Sequence, residues 1–502
     1  MSNALNNNVF ESTTSYVTIW SETDWNKVNK YVDKQRFRIF RAESEDDSRK
    51  VRDLQRMLVR SSAALKLAIK RVTQINKGRR TPGIDGYLAL SDEEKGKLFT
   101  KMRNRDINLH KPKPTYRIYI PKKNGKTRPL SIPTIMDRVY QELLRMALEP
   151  QWECRFEPIS YGFRPARGVH DAMQRIFLDV KGIKFTHVYE GDFKACFDTL
   201  SHDFILEQLN GFPYVNVIEK FLKAGYVDNG EFFPTTRGTP QGGLISPLLA
   251  NIALHGLEDC LNIKYQEVYN STLDYTSYIT KGKYRVVRYA DDFLIFAKNE
   301  NDIRAIPDIM QPYLEVRGLT LAEDKTSFTT TFNGFDFLGF NVKIENTNKC
   351  IMKPSKDSMK AARHNIGYIF NSMNGHNVGE LIDKLNPVIE GIAEYWKPMV
   401  SSKAFKDIDY YVWKKTWKFL RRLHHDKSYK WIINKYFPKP SKDNKYHDNW
   451  ILTDPNTGKQ LTKMSWTKIE RHKMIKYNYS PLDKSKSEYF KKKNFSAFNP
   501  FR

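Results

Sequence analysis

The stretch KYRVVRYADDFLIFAK, residues 283–298, decides how the rest of the chain is read. It consists of two apolar strands meeting at Ala290-Asp291-Asp292. Adjacent carboxylates at a hairpin tip repel one another, and a divalent cation bound there removes that cost. Taken alone, an Asp-Asp turn is ordinary, because Asp suits turns and is usually solvated in them. Its meaning depends on the segments around it.

VYEGDFKACFDTL, residues 188–200, places Asp192 at the expected end of another strand, with a second acid, Asp198, six residues on. If that strand lies beside the hairpin, Asp192 and Asp291 can jointly hold two Mg²⁺ ions a few Å apart. Such a pair stabilises the attacking 3′-hydroxyl and the leaving pyrophosphate of an in-line displacement. Hard oxygen ligands suit Mg²⁺. Between the two acidic segments runs RGTPQGGLISPLLANIALHGLE, residues 237–258. Its glycines let backbone approach a ligand closely, and Ser246-Pro247 opens an apolar helix. Gln241 is the polar group best placed to face a substrate. Read in isolation, the same segment is a loop and a helix start.

Further out, residues 20–75 read as helices, with Trp25, Val28, Tyr31 and Val32, then Val51, Leu54, Met57 and Leu58, at helical spacing. A basic turn, Lys77 to Arg80, leads into the breaker-rich TPGIDG at residues 81–86. Residues 114–134 alternate apolar and polar around Lys122-Lys123-Asn124-Gly125-Lys126, which predicts a β-hairpin with a basic Asn-Gly tip. Residues 135–180 read as helical, 185–345 as short strands alternating with helices, 355–437 as helical again, and 438–502 as polar and lysine-rich. The pattern is that of an α+β catalytic unit followed by a helical one.

The chain of 502 residues is too long for one core, and its formal net charge is +26. Residues 401–502 hold 25 Lys and Arg against 9 Asp and Glu, so 16 of those 26 charges sit in the last fifth. Such a localised field favours a polyanion. Tyr410, Tyr411, Trp413, Trp417 and Phe419 interleave with Lys414, Lys415, Lys418, Arg421 and Arg422, a mixture suited to phosphate contact plus base stacking. The same aromatics could equally form the core face of a helix. Cys154, Cys196, Cys260 and Cys350 lie far apart, so neither a zinc motif nor a disulfide framework is expected. No apolar run approaches the roughly 20 residues needed to span a bilayer. The first ten residues lack the basic start and apolar stretch of a secretion signal. The expected setting is a bacterial cytoplasm or, given the richness in Lys, Asn, Tyr and Phe, an organelle (chloroplast or mitochondrion).

The order and wording of these segments closely resemble the reverse transcriptases encoded in group II introns, with their maturase region. YADD at 289–292, RGTPQGGLISPLLANI from Arg237, RPLSIPTIMDRVYQ from Arg128, YGFRP at 161–165, LAEDKT at 321–326 and FLGF at 337–340 all look like that family. The resemblance runs from about residue 20 to the end. It implies a right-hand polymerase of fingers, palm and helical thumb, with a basic helical C-terminal maturase and DNA-binding region. The implied segments are an N-terminal extension over 1–100, fingers and palm over 101–345, thumb and maturase domain over 355–437, and a DNA-binding-like segment over 438–502.

By position, the resemblance makes Asp192, Asp291 and Asp292 the metal ligands, and Phe193, next to Asp192, is counted with the metal set. Phe197 matches the bulky residue that excludes a 2′-hydroxyl, although an ordinary core Phe is the plainer role. Arg128 and one of Lys122 or Lys123 look like triphosphate contacts, since a fixed guanidinium fork suits phosphate. Lys325 is placed to assist pyrophosphate departure, or is a solvated turn lysine. Gln241 completes the nucleotide set. The implied partners are intron RNA as template and splicing substrate, a DNA primer or target, and deoxynucleoside triphosphates.

Many relatives continue into a His-Asn-His endonuclease with paired cysteines, and neither is found here, so no DNA cleavage is expected of this chain. The leading expectation is an RNA-directed DNA polymerase that also assists splicing and mobility of its intron. Two alternatives are a splicing factor without polymerase activity and a reverse transcriptase domesticated for defence.

Overall fold

The computed structural model describes residues 16–121, 125, 127–271, 275–324, 326–439 and 448–493. Contacts divide them between two compact units, one within Met1–Gly168, Tyr189–Ser327 and Ile475–Arg502, the other within Val169–Val188 and Phe328–Met474.

The first unit opens with helices Trp25–Ser44, Ser48–Val59 and Ser62–Lys70, whose starts are written in the sequence. Asp24, Asp47 and Ser61 each accept a hydrogen bond from the backbone N–H three residues on, satisfying donors a helix start leaves open. The buried stripe runs through Val32, Gln35 and Ile39, then Leu54 and Leu58, toward the helix Ile135–Arg155. Each such aliphatic contributes about 1.5–3 kcal/mol by leaving water. The expected stripe is turned slightly from this one, for Tyr31 and Met57 lie at the solvent edge.

Strands Thr115–Pro121 and Thr127–Ile132 form the anticipated antiparallel hairpin, in register from Tyr116↔Ile132 to Pro121↔Thr127. Gly125 at its tip has φ +78°, while Lys122, Lys123, Asn124 and Lys126 lie outside the described residues. Tyr226–Asp228, parallel to the first of these strands, and Glu231–Phe233 complete a four-stranded sheet. A second sheet places Tyr189–Asp192, the part of strand His187–Asp192 in this unit, beside Asp292–Ala297, which in turn pairs with Arg285–Tyr289. The unit is therefore α+β, with the acidic segments on adjacent strands.

In the second unit Phe335–Phe337, Phe340–Ile344 and Cys350–Pro354 form an antiparallel sheet. Its first turn is Leu338-Gly339, both at positive φ (+47° and +82°), as a two-residue turn matched to strand twist requires. Helices Lys356–Ser372, Val378–Trp396, Ser402–Leu423 and Tyr429–Tyr436 follow. The segment from Ile451 to Met464 packs back on them through buried Ile451, Leu452, Leu461 and Met464. Asn386 accepts from the Thr462 amide at 2.9 Å and Asp409 from the Met464 amide at 2.7 Å. No helix among the described residues is long and apolar enough to cross a membrane.

Candidate active site

The Asp-Asp turn has two residues, Ala290 and Asp291, between the paired Tyr289 and Asp292. Ala290 sits in the left-handed region at φ +57°, which costs a residue with a Cβ about 1–2 kcal/mol. The arrangement behind the turn maintains it. Arg288, fully buried, donates from Nη1 to the Ala290 carbonyl at 3.3 Å and to Asn251 Oδ1 at 3.2 Å. Asn251 Nδ2 donates to the Gly162 carbonyl at 2.8 Å. A Cβ on Gly162 would stand 2.5 Å from the Ala290 nitrogen, so the YGFRP and SPLLANI motifs meet against the back of the turn.

Arg288 is also 4.0 Å from the Glu157 carboxylate, whose other oxygen accepts from the Gly256 and Glu258 amides at 2.9 and 2.8 Å. Burial pushes Glu157 up and Arg288 pulls it back. Glu258 is pushed up to about 8 by burial and by Glu157. His255 is pushed down to about 4 by burial, then by Arg288. The support of the turn is thus a buried charge network in which Arg288 is joined by Arg164, which donates to the Glu157 carbonyl at 2.6 Å, and Arg317, which donates to the His255 carbonyl at 2.7 Å.

Gly191, just before Asp192, allows the strands to close. A Cβ there would lie 2.1 Å from the Phe293 ring, which also packs on Phe193 with centroids 4.9 Å apart. Phe193 itself is a core side chain at 1% exposure, so only its main chain can face a metal. Backbone bonds Ala322 N–H to Asp192 carbonyl (2.9 Å) and Lys194 N–H to Thr320 carbonyl (2.8 Å) frame the Phe193↔Leu321 bridge. In such a bridge the amide and carbonyl of Phe193 point away from Leu321.

The Cys196 thiol is buried. It is pushed up by burial first, then by Asp291, Asp192 and Asp198. Asp192 ends one strand of the sheet and Asp292 begins the neighbouring one, with Asp291 in the turn just before it. Their oxygens suit a hard divalent cation, although among the described residues no three His, Cys, Asp or Glu side chains cluster at metal-binding separation.

Three segments of the chain match families of known proteins. Residues 120–342 match the family described as reverse transcriptase (RNA-dependent DNA polymerase), 20–102 its N-terminal domain, and 359–437 the group II intron maturase-specific domain. Protein YkfC of Escherichia coli K12 is 33% identical over 59% of this chain and 84% of its own length. The chain belongs to the group II intron-encoded reverse transcriptases. LtrA, a group II intron-encoded protein of Lactococcus lactis, is 33% identical over 54% of this chain, and the match spans 53% of LtrA. Telomerase from Candida albicans aligns with a TM-score of 0.36 at 14% identity, over 62% of this chain and 60% of that one, too loose a likeness to bear weight. This reverse transcriptase carries the domain of an RNA-directed DNA polymerase, a divalent-metal-dependent class, together with the maturase-specific domain.

Three of the expected nucleotide residues come together in the same unit. Gly238, at φ +81°, donates to the Leu200 carbonyl at 2.7 Å, and Thr239 donates to the Phe197 carbonyl at 2.6 Å. A Cβ at Gly238 would be 2.6 Å from that Phe197 oxygen, so the Gly-rich loop lies directly on the segment after Asp192. Gln241 Oε1 accepts from Arg128 Nε at 2.9 Å, and its carbonyl accepts from the Ser131 amide at 2.6 Å. Phe197, Asp198 and Gln241 line a cleft of about 270 Å³ with Arg117 and Tyr226. Lys325, like Lys122 and Lys123, lies outside the described residues.

In the maturase unit, helix Ser402–Leu423 buries Phe405, Ile408, Val412, Thr416, Phe419 and Leu420. Lys414, Lys418, Arg421 and Arg422 are exposed, while Lys415 is half-buried beside Tyr411. The aromatics divide in the same way: Phe419 is core, Tyr410 and Trp413 are exposed. Sequence reading missed Arg288, Asn251 and Glu157. The available signal was a charged Arg288 inside an otherwise apolar strand end.

Proposed function

We propose that this reverse transcriptase extends a DNA primer on an RNA template at Asp192 and Asp291, and that the exposed basic face of its maturase unit holds intron RNA during splicing and mobility. What carries the reading is the pairing of the strand that ends at Asp192 with the strand that begins at Asp292, just past the turn residue Asp291, within a frame fixed by Gly162, Gly191, Asn251 and Arg288. Asp192, Asp291, Asp292 and the Phe193 carbonyl are the oxygens that would hold two Mg²⁺ ions. When bound, Mg²⁺ supplies Lewis-acid activation of the 3′-hydroxyl and charge neutralisation on the leaving pyrophosphate.

The chain's own groups do the rest. Arg128, kept in place by Gln241, presents a guanidinium to the triphosphate of the incoming deoxynucleotide, with Lys122 or Lys123 beside it. Lys325 serves the departing pyrophosphate. The Phe197 ring closes the space a 2′-hydroxyl would need. Lys414, Lys415, Lys418, Arg421 and Arg422 meet RNA phosphates. Functionally the chain divides into an N-terminal extension over 1–100, fingers and palm over 101–345, thumb and maturase over 355–437, and a DNA-contacting segment over 438–502. It works in a bacterial cytoplasm or an organelle.

The test is deoxynucleotide incorporation on a primed RNA template with Mg²⁺, wild type beside Asp291→Ala, with RNA affinity measured on both. Synthesis by the wild type alone, at equal RNA affinity, is expected. No synthesis by the wild type would make the chain an RNA-binding splicing factor with the frame of an enzyme. Equal loss of synthesis and affinity in Asp291→Ala would end the separation of the two surfaces.

A further inference from the structure

Within the maturase unit a second cleft, of about 320 Å³, opens between helix Ser402–Leu423 and the segment around Trp450. Three of its aromatic side chains are exposed, Tyr410 at 57%, Trp450 at 48% and Trp413 at 40%, while Phe437 at its base is buried. Large rings left in water on a strongly basic protein are suited to stacking rather than to core packing. Thr416 adds an independent sign. It lines the cleft, is 2% exposed, and its hydroxyl is buried without a hydrogen-bond partner. A hydroxyl hidden in this way is costly unless something bonds it.

Asp409, also in the lining, is already engaged, accepting from the Met464 and Ser465 amides at 2.7 and 3.0 Å. Lys406 supplies positive charge in the lining, where the Lys463 ammonium is already 3.6 Å from the Asp448 carboxylate, and Lys414 stands over the Tyr410 ring at 4.5 Å. Flat apolar faces, one unsatisfied hydroxyl and flanking ammonium groups describe a ligand that is planar, has a hydrogen-bonding edge, and is joined to an anionic chain.

We propose that this cleft seats one unpaired nucleobase of the bound RNA. The base stacks on the exposed indoles of Trp413 and Trp450, its edge pairs with the Thr416 hydroxyl, and the flanking phosphates lie on Lys406 and Lys414. The proposal rests on the reading that the maturase unit binds RNA, and it adds that the unit distinguishes an unpaired base from a duplex. RNA recognition elsewhere relies on such splayed bases, because the A-form major groove is too narrow to read.

The probe is a short single-stranded RNA with a central 2-aminopurine, beside the same sequence as a duplex, titrated with the full chain. With the wild type, the single strand is expected to lose 2-aminopurine fluorescence on binding. Trp413→Ala is expected to abolish that quench and weaken single-strand binding about 5- to 150-fold, the range for one stacked base. Duplex binding stays unchanged. Thr416→Val, which keeps shape and removes the orphaned hydroxyl, is expected to weaken single-strand binding with no fall in melting temperature. Lys418→Glu is expected to weaken both RNAs alike. Wild-type binding without a quench, or Trp413→Ala and Thr416→Val both binding as wild type, would overturn the base seat while leaving RNA binding standing. Failure of the wild type to bind either RNA would overturn both readings.

Discussion

Gly191→Ala adds one methyl group, yet it is expected to disable the enzyme. The new Cβ would lie 2.1, 2.5 and 2.7 Å from three atoms of the Phe293 ring, inside any real carbon contact. The ring cannot simply swing aside, since Phe293 is 1% exposed and wedged between Phe193 at 4.9 Å and Tyr189 at 6.2 Å. Something in the backbone must shift. Overpacking of this kind costs about 1–3 kcal/mol in stability. The larger effect is geometric, because Gly191 precedes Asp192 and Phe293 follows Asp292. Pushing those two residues apart separates the strands that hold the carboxylates. A displacement of about 1 Å at reacting groups costs on the order of 10²-fold in rate.

The assay is single-nucleotide incorporation on a primed RNA as a function of Mg²⁺, with thermal unfolding measured in parallel. A rate loss near 10²-fold, a raised Mg²⁺ requirement and unchanged RNA affinity are expected. Adding Phe293→Leu to Gly191→Ala makes room for the methyl and is expected to recover much of the rate, a coupling between two sites that a double-mutant cycle isolates. Wild-type rate and Mg²⁺ dependence in Gly191→Ala would refute the idea that this contact sets the spacing of the acids. So would a rate loss that Phe293→Leu leaves wholly unrepaired.

Phe197→Val is expected to raise ribonucleotide incorporation relative to deoxynucleotide incorporation, read as a ratio of kcat/KM values; an unchanged ratio would return Phe197 to an ordinary core role. Reversing charge at Lys414, Lys418 and Arg421, all exposed, is expected to flatten the salt dependence of RNA binding, with log–log slope falling by about 0.7 per lost single-strand contact. An unaltered slope would remove this face from the RNA surface. Glu258, raised to about 8 by burial and Glu157, holds its proton in the folded state and loses it near the ordinary carboxylate pKa when unfolded. Its stabilising contribution is therefore complete at acid pH and lost as pH rises through about 8. Glu258→Gln should thus melt higher than wild type at pH 9 and show a smaller loss between pH 6 and 9; parallel curves would mean that Glu258 is already ionised at pH 6.

The active strands were legible because their signals are local. The apolar runs on either side of Ala290-Asp291-Asp292 mark two strands, and Asp192 falls at the expected end of a third. What brings them together was not legible. Gly191 reads as any strand glycine until Phe293, a hundred residues away in sequence, is seen lying on its backbone. Gly162 likewise reads as part of a short motif until the nitrogen of Ala290 is found against it. Non-local contacts of this kind leave no periodicity to read. The same holds for Arg288, whose charge in an apolar strand is anomalous in sequence and explained only by the carbonyl of Ala290 and the side chain of Asn251.

On helix Ser402–Leu423 the limit is angular. Tyr410, Tyr411, Trp413, Trp417 and Phe419 alternate with cations closely enough that composition supports a core stripe and a stacking surface alike. The packed faces decide it: Phe419 joins the buried row with Val412 and Thr416, whereas Tyr410 and Trp413 stand outside it. Thr416 is the exception that matters. It lies in the buried row, yet its hydroxyl lacks a protein partner and its side chain lines the cleft beside the exposed rings. A helix selected only for packing would place Val or Ala there, at lower cost to its core. A polar group kept at that cost is better explained by a partner that is present only when RNA is.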